Sequence, residues 1–262
     1  MDTGTVFETT PHHGMGFRQF VAMVAALMAT NALAVDSMLP ALGKIGASLG
    51  LAAANERQWV VTSYLLGFGA AQIIYGTLAD RFGRKPVVLV ALVIYIAASL
   101  AAALAGSFTL MMIARVIQGL GAAGTRVLAV SIVRDCYAGR RMARVMSLAF
   151  LVFLGVPVLA PSLGQLIMLV APWRAIFVAL AMFASVVAVW IVVRLPETLH
   201  PADRRRIEVA GIVKAARTTL SNRLSLGYTL AMTMVIGGMF GFINSAQQIF
   251  SQLFHTPRLF TL

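Results

Sequence analysis

Three ionisable residues stand inside long apolar stretches of this sequence: Asp36, Arg115 and Arg126. A charge at the centre of a bilayer costs roughly 2.5–3.5 kcal/mol on insertion scales, so one retained there is a functional candidate by default. Arg115 and Arg126 are eleven residues apart, which in a helix leaves them roughly 20° apart around the axis and about 16 Å apart along it. Gln118, Gly119 and Ala122 fall close to that face, giving one polar, small-residue stripe that has to look at protein or water. Two readings fit. In one, the stripe lines a polar cavity: Arg115 holds a carboxylate or an anionic substrate group, and Asp36 exchanges a proton, with Arg115 shifting its pKa. In the other the roles are structural: Arg126 reaches toward the inner interface, and Asp36, shortly before Pro40, sits at the outer interface and caps the next helix.

Other chemistries lack their residues. The apolar blocks contain no Ser/His pair and no metal-ligand pair, and His12, His13, His200 and His255 all fall outside them. A lone Cys136 excludes an internal disulfide and a thiolate cluster. No catalytic residue, metal or cofactor is therefore expected, and the chain does not read as an enzyme.

The elements that position these residues follow from composition. Of 262 residues, 60% are hydrophobic and 11% charged, whereas a soluble domain keeps about a quarter of its residues charged. The apolar residues come in blocks of about twenty, the length that spans a ~30 Å hydrocarbon core at 1.5 Å per residue. The blocks predict an all-α integral membrane protein with spans at 20–39 (closed by Pro40), 59–79, 87–105, 109–133, 145–170, 175–193 and 224–250. The first is too long for the core of a cleavable signal and is followed at once by further spans. The domain reading is a polar cytoplasmic tail (1–19), a six-helix N-terminal bundle (20–194), a cytoplasmic central loop (195–223) and the start of a C-terminal bundle (224–262).

Charge orients the bundle. Of 21 Lys and Arg residues, 15 fall in the gaps on one side and 4 on the other, which by the positive-inside rule places the N-terminus and the central loop in the cytoplasm. The net charge of +12 does not point to nucleic acid, because the bases lie in alternate gaps instead of on one face interleaved with aromatic residues. Within the central loop Val209, Ile212, Val213, Ala216 and Leu220 recur at helical spacing among basic residues. Either a helix on an anionic leaflet or a solvated linker accounts for them.

Small residues crowd the second and fourth spans, as close backbone approach requires, and the fifth carries Gly155, Pro157, Pro161 and Gly164. Two prolines in one span remove backbone donors and are expected to bend it. The gap between spans two and three contains Gly76, Asp80, Arg81, Gly83, Arg84, Lys85 and Pro86. Its glycines allow a tight turn, and Asp80 with the bases can latch onto a neighbouring helix end.

That gap resembles the loop signature G-x-L-a-D-r-x-G-r-k-p of the major facilitator superfamily, with every specified position filled. The stretch from Ile113 to Ala123, with Arg115, Gln118 and Gly119, resembles the span-four motif of its drug:proton antiporter branch, whose arginine is associated with proton coupling. The stretch around Pro157, Pro161 and Gly164 resembles the span-five antiporter motif, departing from it at Ala160 and Gln165. Asp36 to Leu42, Ala160-Pro161, Arg134-Asp135 and Pro196-Glu197-Thr198-Leu199 are similar to the bicyclomycin and chloramphenicol resistance (Bcr/CflA) subfamily. The resemblance implies a twelve-span, two-half fold in the inner (plasma) membrane. It implies a monomer that exchanges protons for small-molecule drugs by alternating access, with the lipid bilayer as its surroundings. Only the six-helix first half and about one further helix are expected in this chain. The expectation is therefore of a truncated transporter; an inactive remnant, or a carrier of another small metabolite, is the alternative.

Overall fold

The computed structural model describes residues 15–51, 54–204, 217–218 and 220–252. The expected tail over 1–14, most of the central loop with its amphipathic pattern at 209–216, and the stretch beyond 252 lie outside the described residues. Among the described residues there is no strand.

The helices are α1 (Phe17–Asp36), α2 (Leu42–Ser48), α3 (Trp59–Phe82), α4 (Arg84–Ala103), α5 (Phe108–Cys136), α6 (Gly139–Val170), α7 (Arg174–Arg194) and α8 (Arg223–Gln252). Six helical stretches among the described residues are long and apolar enough to cross a membrane: Phe17–Ser48, Asn55–Phe82, and α4 to α7. The stretch expected as a seventh span is helical as α8 and is not one of those six. The chain divides into two compact units, Met1–Arg205 and Arg206–Leu262; everything below concerns the first.

The distribution of residue types is that of a protein solvated by lipid. Ile73, Val93, Leu151, Val158 and Val189 are exposed, while Arg115, Gln118, Ser99 and Thr30 are fully buried. Water would favour the reverse, since apolar burial drives folding there; hydrocarbon leaves the apolar side chains outside and requires polar groups to find partners within. The protein is a multi-pass membrane protein.

Close backbone approach sets the α3–α5 crossing. A Cβ on Gly67 would collide with the Val116 carbonyl, and one on Gly119 with the Tyr64 carbonyl. These positions are how α5 comes near enough to α3 to place Arg115 between helices.

Three sequence expectations change. The first span does not stop at Pro40: α1 ends at Asp36, a 3₁₀ turn covers Leu39–Ala41, and the chain continues helically to Ser48. Proline in a first turn costs no hydrogen bond, so Pro40 opens this turn. Arg84, Lys85 and Pro86 are not in a loop but form the first turn of α4, with Gly83 alone between α3 and α4. The fifth span begins at Gly139, six residues earlier than 145, because Arg140, Arg141 and Arg144 are good helix formers. Pro157 and Pro161 both lie within α6, which is helical from Gly139 to Val170.

Candidate functional site

Two polar clusters sit at opposite ends of the bundle. The first is built on α5, whose N-terminus is capped by Ser107: its hydroxyl accepts from the Leu110 N–H at 3.3 Å. Two turns further along, Arg115 is 0% exposed. Its Nε donates to the Val60 carbonyl at 3.0 Å, Nη2 to the Ala34 carbonyl at 3.2 Å and Nη1 to Gln118 Oε1 at 2.6 Å. Its charge lies over the Tyr64 ring at 4.5 Å and the Phe177 ring at 5.8 Å. The arrangement ties α1, α3, α5 and α7 together through one planar fork, the geometry that distinguishes Arg from Lys.

The network extends outward from that fork. Gln118 Nε2 donates to Ser99 Oγ at 2.7 Å, and Ser99 donates to the Tyr95 carbonyl at 2.7 Å. The Tyr95 hydroxyl donates to the Thr30 carbonyl at 3.3 Å, and the Tyr64 hydroxyl to Asn31 Oδ1 at 2.8 Å. Asp36 is the last residue of α1, 7% exposed and two positions past the carbonyl that Arg115 grips. No ion pair joins them: among the described residues the ion pairs are Arg84–Asp80 and Arg84–Asp135. Arg115 thus holds backbone and amide oxygens, not a carboxylate.

From the other side α6 packs against the break in the first span. A Cβ on Gly164 would run into the Ser37 carbonyl and approach Pro40, whereas one on Gly155 would meet open space. The Pro161–Gly164 stretch therefore supports the chain immediately after Asp36. Arg126 stands apart from this cluster: half-buried, its guanidinium lies over Phe150 at 5.6 Å and Phe153 at 5.5 Å, both on α6.

The second cluster gathers the loop-signature residues at the other end. Gly83 has φ +100°, a conformation that side chains strongly disfavour, and it lets the chain reverse within one residue. The first turn of α4 then presents free N–H groups, and the Glu197 carboxylate fills them. It accepts from Arg84 N at 2.8 Å, Lys85 N at 3.3 Å, and Thr198 N and Leu199 N at 3.0 Å. A carboxylate at a helix N-terminus also meets the positive end of the helix dipole. Lys85 Nζ donates to the Val192 carbonyl in the last turn of α7 at 2.9 Å. Arg84 bridges Asp80 at 2.6 Å and Asp135 at 2.8 Å. Gly76, Asp80, Arg84, Arg134, Asp135 and Asp203 share the lining of an adjacent cavity of about 840 Å³. Arg81 is exposed and lies over Phe82.

Of the residues picked out in the sequence, Asp36, Arg115, Gln118 and Gly164 are brought to one region and Asp80, Gly83, Arg84 and Lys85 to another; Arg126 joins neither. Sequence reasoning assigned no role to Glu197 or Asp135, which complete the second cluster, nor to Asn31, Tyr64 and Ser99 in the first. Polar residues at mid-span are the signal that could have found the latter three.

These features match known proteins. Residues 20–259 match the Major Facilitator Superfamily. The chain is 34% identical over 237 residues to the multidrug resistance protein MdtL of Escherichia coli O9:H4 (strain HS), covering 90% of this chain and 59% of MdtL. It is 29% identical over 243 residues to an uncharacterized MFS-type transporter, YdgK, of Bacillus subtilis, covering 92% of this chain and 60% of YdgK. It thus spans about 60% of the length of these relatives. Its fold is similar to that of a D-xylose-proton symporter, with a TM-score of 0.67 at 15% identity, covering 92% of this chain and 64% of the symporter. The described bundle is the N-terminal half of a transporter fold, and the chain belongs to the major facilitator superfamily.

Proposed function

We propose that this chain forms the first half of a proton-coupled exporter of small drugs, of the drug:proton antiporter branch and the Bcr/CflA subfamily. In this reading it lies in the inner membrane with its N-terminus in the cytoplasm. The observation that carries the reading is the placement of Asp36. A carboxyl group held at a helix break inside the bundle, beside a cation already saturated by other oxygens, is free to gain and lose a proton without losing an ion pair. The name of MdtL supports drug efflux, and the excess of basic residues at the Arg18, Arg84 and Arg140 end supports the orientation.

Mechanistically, a proton enters on Asp36 from outside and leaves inward as drug moves out. Arg115 keeps the last turn of α1 fixed so that the carboxyl is presented in one geometry. Gly164 lets α6 lie directly on the Ser37 carbonyl, where rocking of one half against the other, the motion common to such carriers, would be felt. The Gly83 turn, Arg84 and Glu197 hold the opposite ends of α3, α4, α5 and α7 as one rigid body during that motion.

The test is drug efflux driven by an imposed pH gradient in inverted membrane vesicles carrying this chain joined to the second half of MdtL. Asp36→Asn is expected to abolish the dependence on the gradient while leaving drug binding intact. Gradient-driven efflux that survives in Asp36→Asn would remove Asp36 from the coupling step.

A further inference from the structure

α5 carries two arginines at membrane depth, and their surroundings differ in a way that separates their uses. Arg115 spends Nε, Nη1 and Nη2 on three protein oxygens and is fully buried. Arg126 lies about 16 Å further along the same helix and roughly 15 Å short of its end at Cys136. It forms no ion pair among the described residues. What it has are the Phe150 and Phe153 rings of α6. A ring face steadies a cation electrostatically but cannot accept in-plane N–H hydrogen bonds as an oxygen does, and a guanidinium has five of them. The group is only half-buried, so these donors are reachable.

Charge within the spans points the same way. Asp36 lies at the end of α1 beside the Arg115 network, and Arg126 has no acid on its own stretch of helix or on the facing stretch of α6. Phe150, one of the two rings under the guanidinium, is 37% exposed. A cation with free donors thus borders an apolar, aromatic surface: one polar anchor and a hydrophobic wall, the composition of a small-molecule site.

We propose that Arg126, with Phe150 and Phe153, is a specificity-determining site that selects lipophilic aromatic substrates bearing a carboxylate or another anionic oxygen over their cationic counterparts. The anionic oxygen takes the guanidinium N–H groups in a charge-assisted hydrogen bond, and the aromatic body lies along the two phenylalanine rings. An ammonium group in the same place meets a like charge at low dielectric. The proposal rests on the reading of this bundle as half of a small-molecule transporter and narrows its substrate class.

The test uses the full 262-residue chain in nanodiscs of neutral phospholipid, with empty nanodiscs as the partition control. Binding of two probes of matched shape, biphenyl-4-carboxylate and 4-phenylbenzylamine, is measured by equilibrium dialysis. The carboxylate is expected to bind more tightly than the amine by roughly ten- to a hundredfold, the range of a hydrogen bond to a charged group. Arg126→Gln should abolish that preference, Arg126→Lys should keep part of it, and the Phe150→Leu, Phe153→Leu double variant should weaken both probes alike. Thermal unfolding confirms that each variant is folded. A wild type that favours the amine or shows no preference, or a preference that persists in Arg126→Gln, overturns the proposal. Efflux that keeps its pH dependence in Asp36→Asn overturns the proton step and leaves this preference untouched, and an amine preference leaves the proton step untouched, so the two readings fail separately.

Discussion

Arg115 and Gln118 are joined Nη1 to Oε1 at 2.6 Å, one turn apart on α5, and Gln118 carries the connection to α4 through Ser99. A side chain that resembles a proton-coupling arginine is thereby also the bolt that fastens α1 and α3 to the bundle.

Removing either member is expected to cost stability before it alters transport. Gln118→Leu strands one guanidinium N–H in a dry interior and should destabilise the chain by about 1–3 kcal/mol. Arg115→Lys keeps the charge but cannot reach the Val60 and Ala34 carbonyls together, so a loss of similar size is expected. Thermal unfolding in detergent measures both; an Arg115→Lys chain as stable as the wild type would show that the fork is not what holds α1.

Two glycines of α6 should answer differently to one methyl group. Gly164→Ala forces the added carbon into the Ser37 carbonyl, an overpacking that costs about 1–3 kcal/mol. Gly155→Ala meets open space and should gain up to about 1 kcal/mol from helix propensity. Opposite shifts in unfolding temperature are the expected result.

At the other end, Glu197→Ala should leave the first turn of α4 without its acceptor. The Arg84 and Lys85 amides, which donate to that carboxylate, are expected to exchange hydrogen faster while those in mid-α4 do not change. Gly83→Ala should have a larger effect than Glu197→Ala, because it adds backbone strain at φ +100° to displacement of the same carboxylate.

Cys136, the single cysteine of the chain, is 4% exposed. It should resist N-ethylmaleimide in the folded protein and react completely once denatured, followed by mass spectrometry. Rapid modification of the native chain would contradict the packing at the end of α5.

The spans were legible because a bilayer imposes a length, and blocks of about twenty apolar residues carry it openly. The break at Asp36 was not, because Pro40 signals an end equally well when it opens a 3₁₀ turn. The stripe on α5 identified Arg115 and Gln118, yet Arg115's partners Val60 and Ala34 offer only carbonyls; backbone acceptors leave no trace in residue identity. That is why the sequence suggested a carboxylate or an anionic substrate group for Arg115 where, among the described residues, no carboxylate pairs with it. The loop signature located Asp80, Gly83 and Arg84, but Glu197 meets Arg84 across 113 positions of chain, a distance no local pattern encodes. Arg126 shares a helical face with Arg115 by spacing alone, and the 16 Å between them is enough to give it a different neighbourhood.

The length of α6 has a physical consequence of its own. Thirty-two unbroken residues extend for about 48 Å, well beyond a ~30 Å hydrocarbon layer. Such a rod must lean, protrude or thicken the lipid around it. Because this helix carries Gly164 against the first-span break and Phe150 and Phe153 against Arg126, a change in acyl-chain length that alters its lean also alters the support under Ser37 and the wall beside Arg126. Membrane thickness is therefore expected to bear on this bundle through one helix.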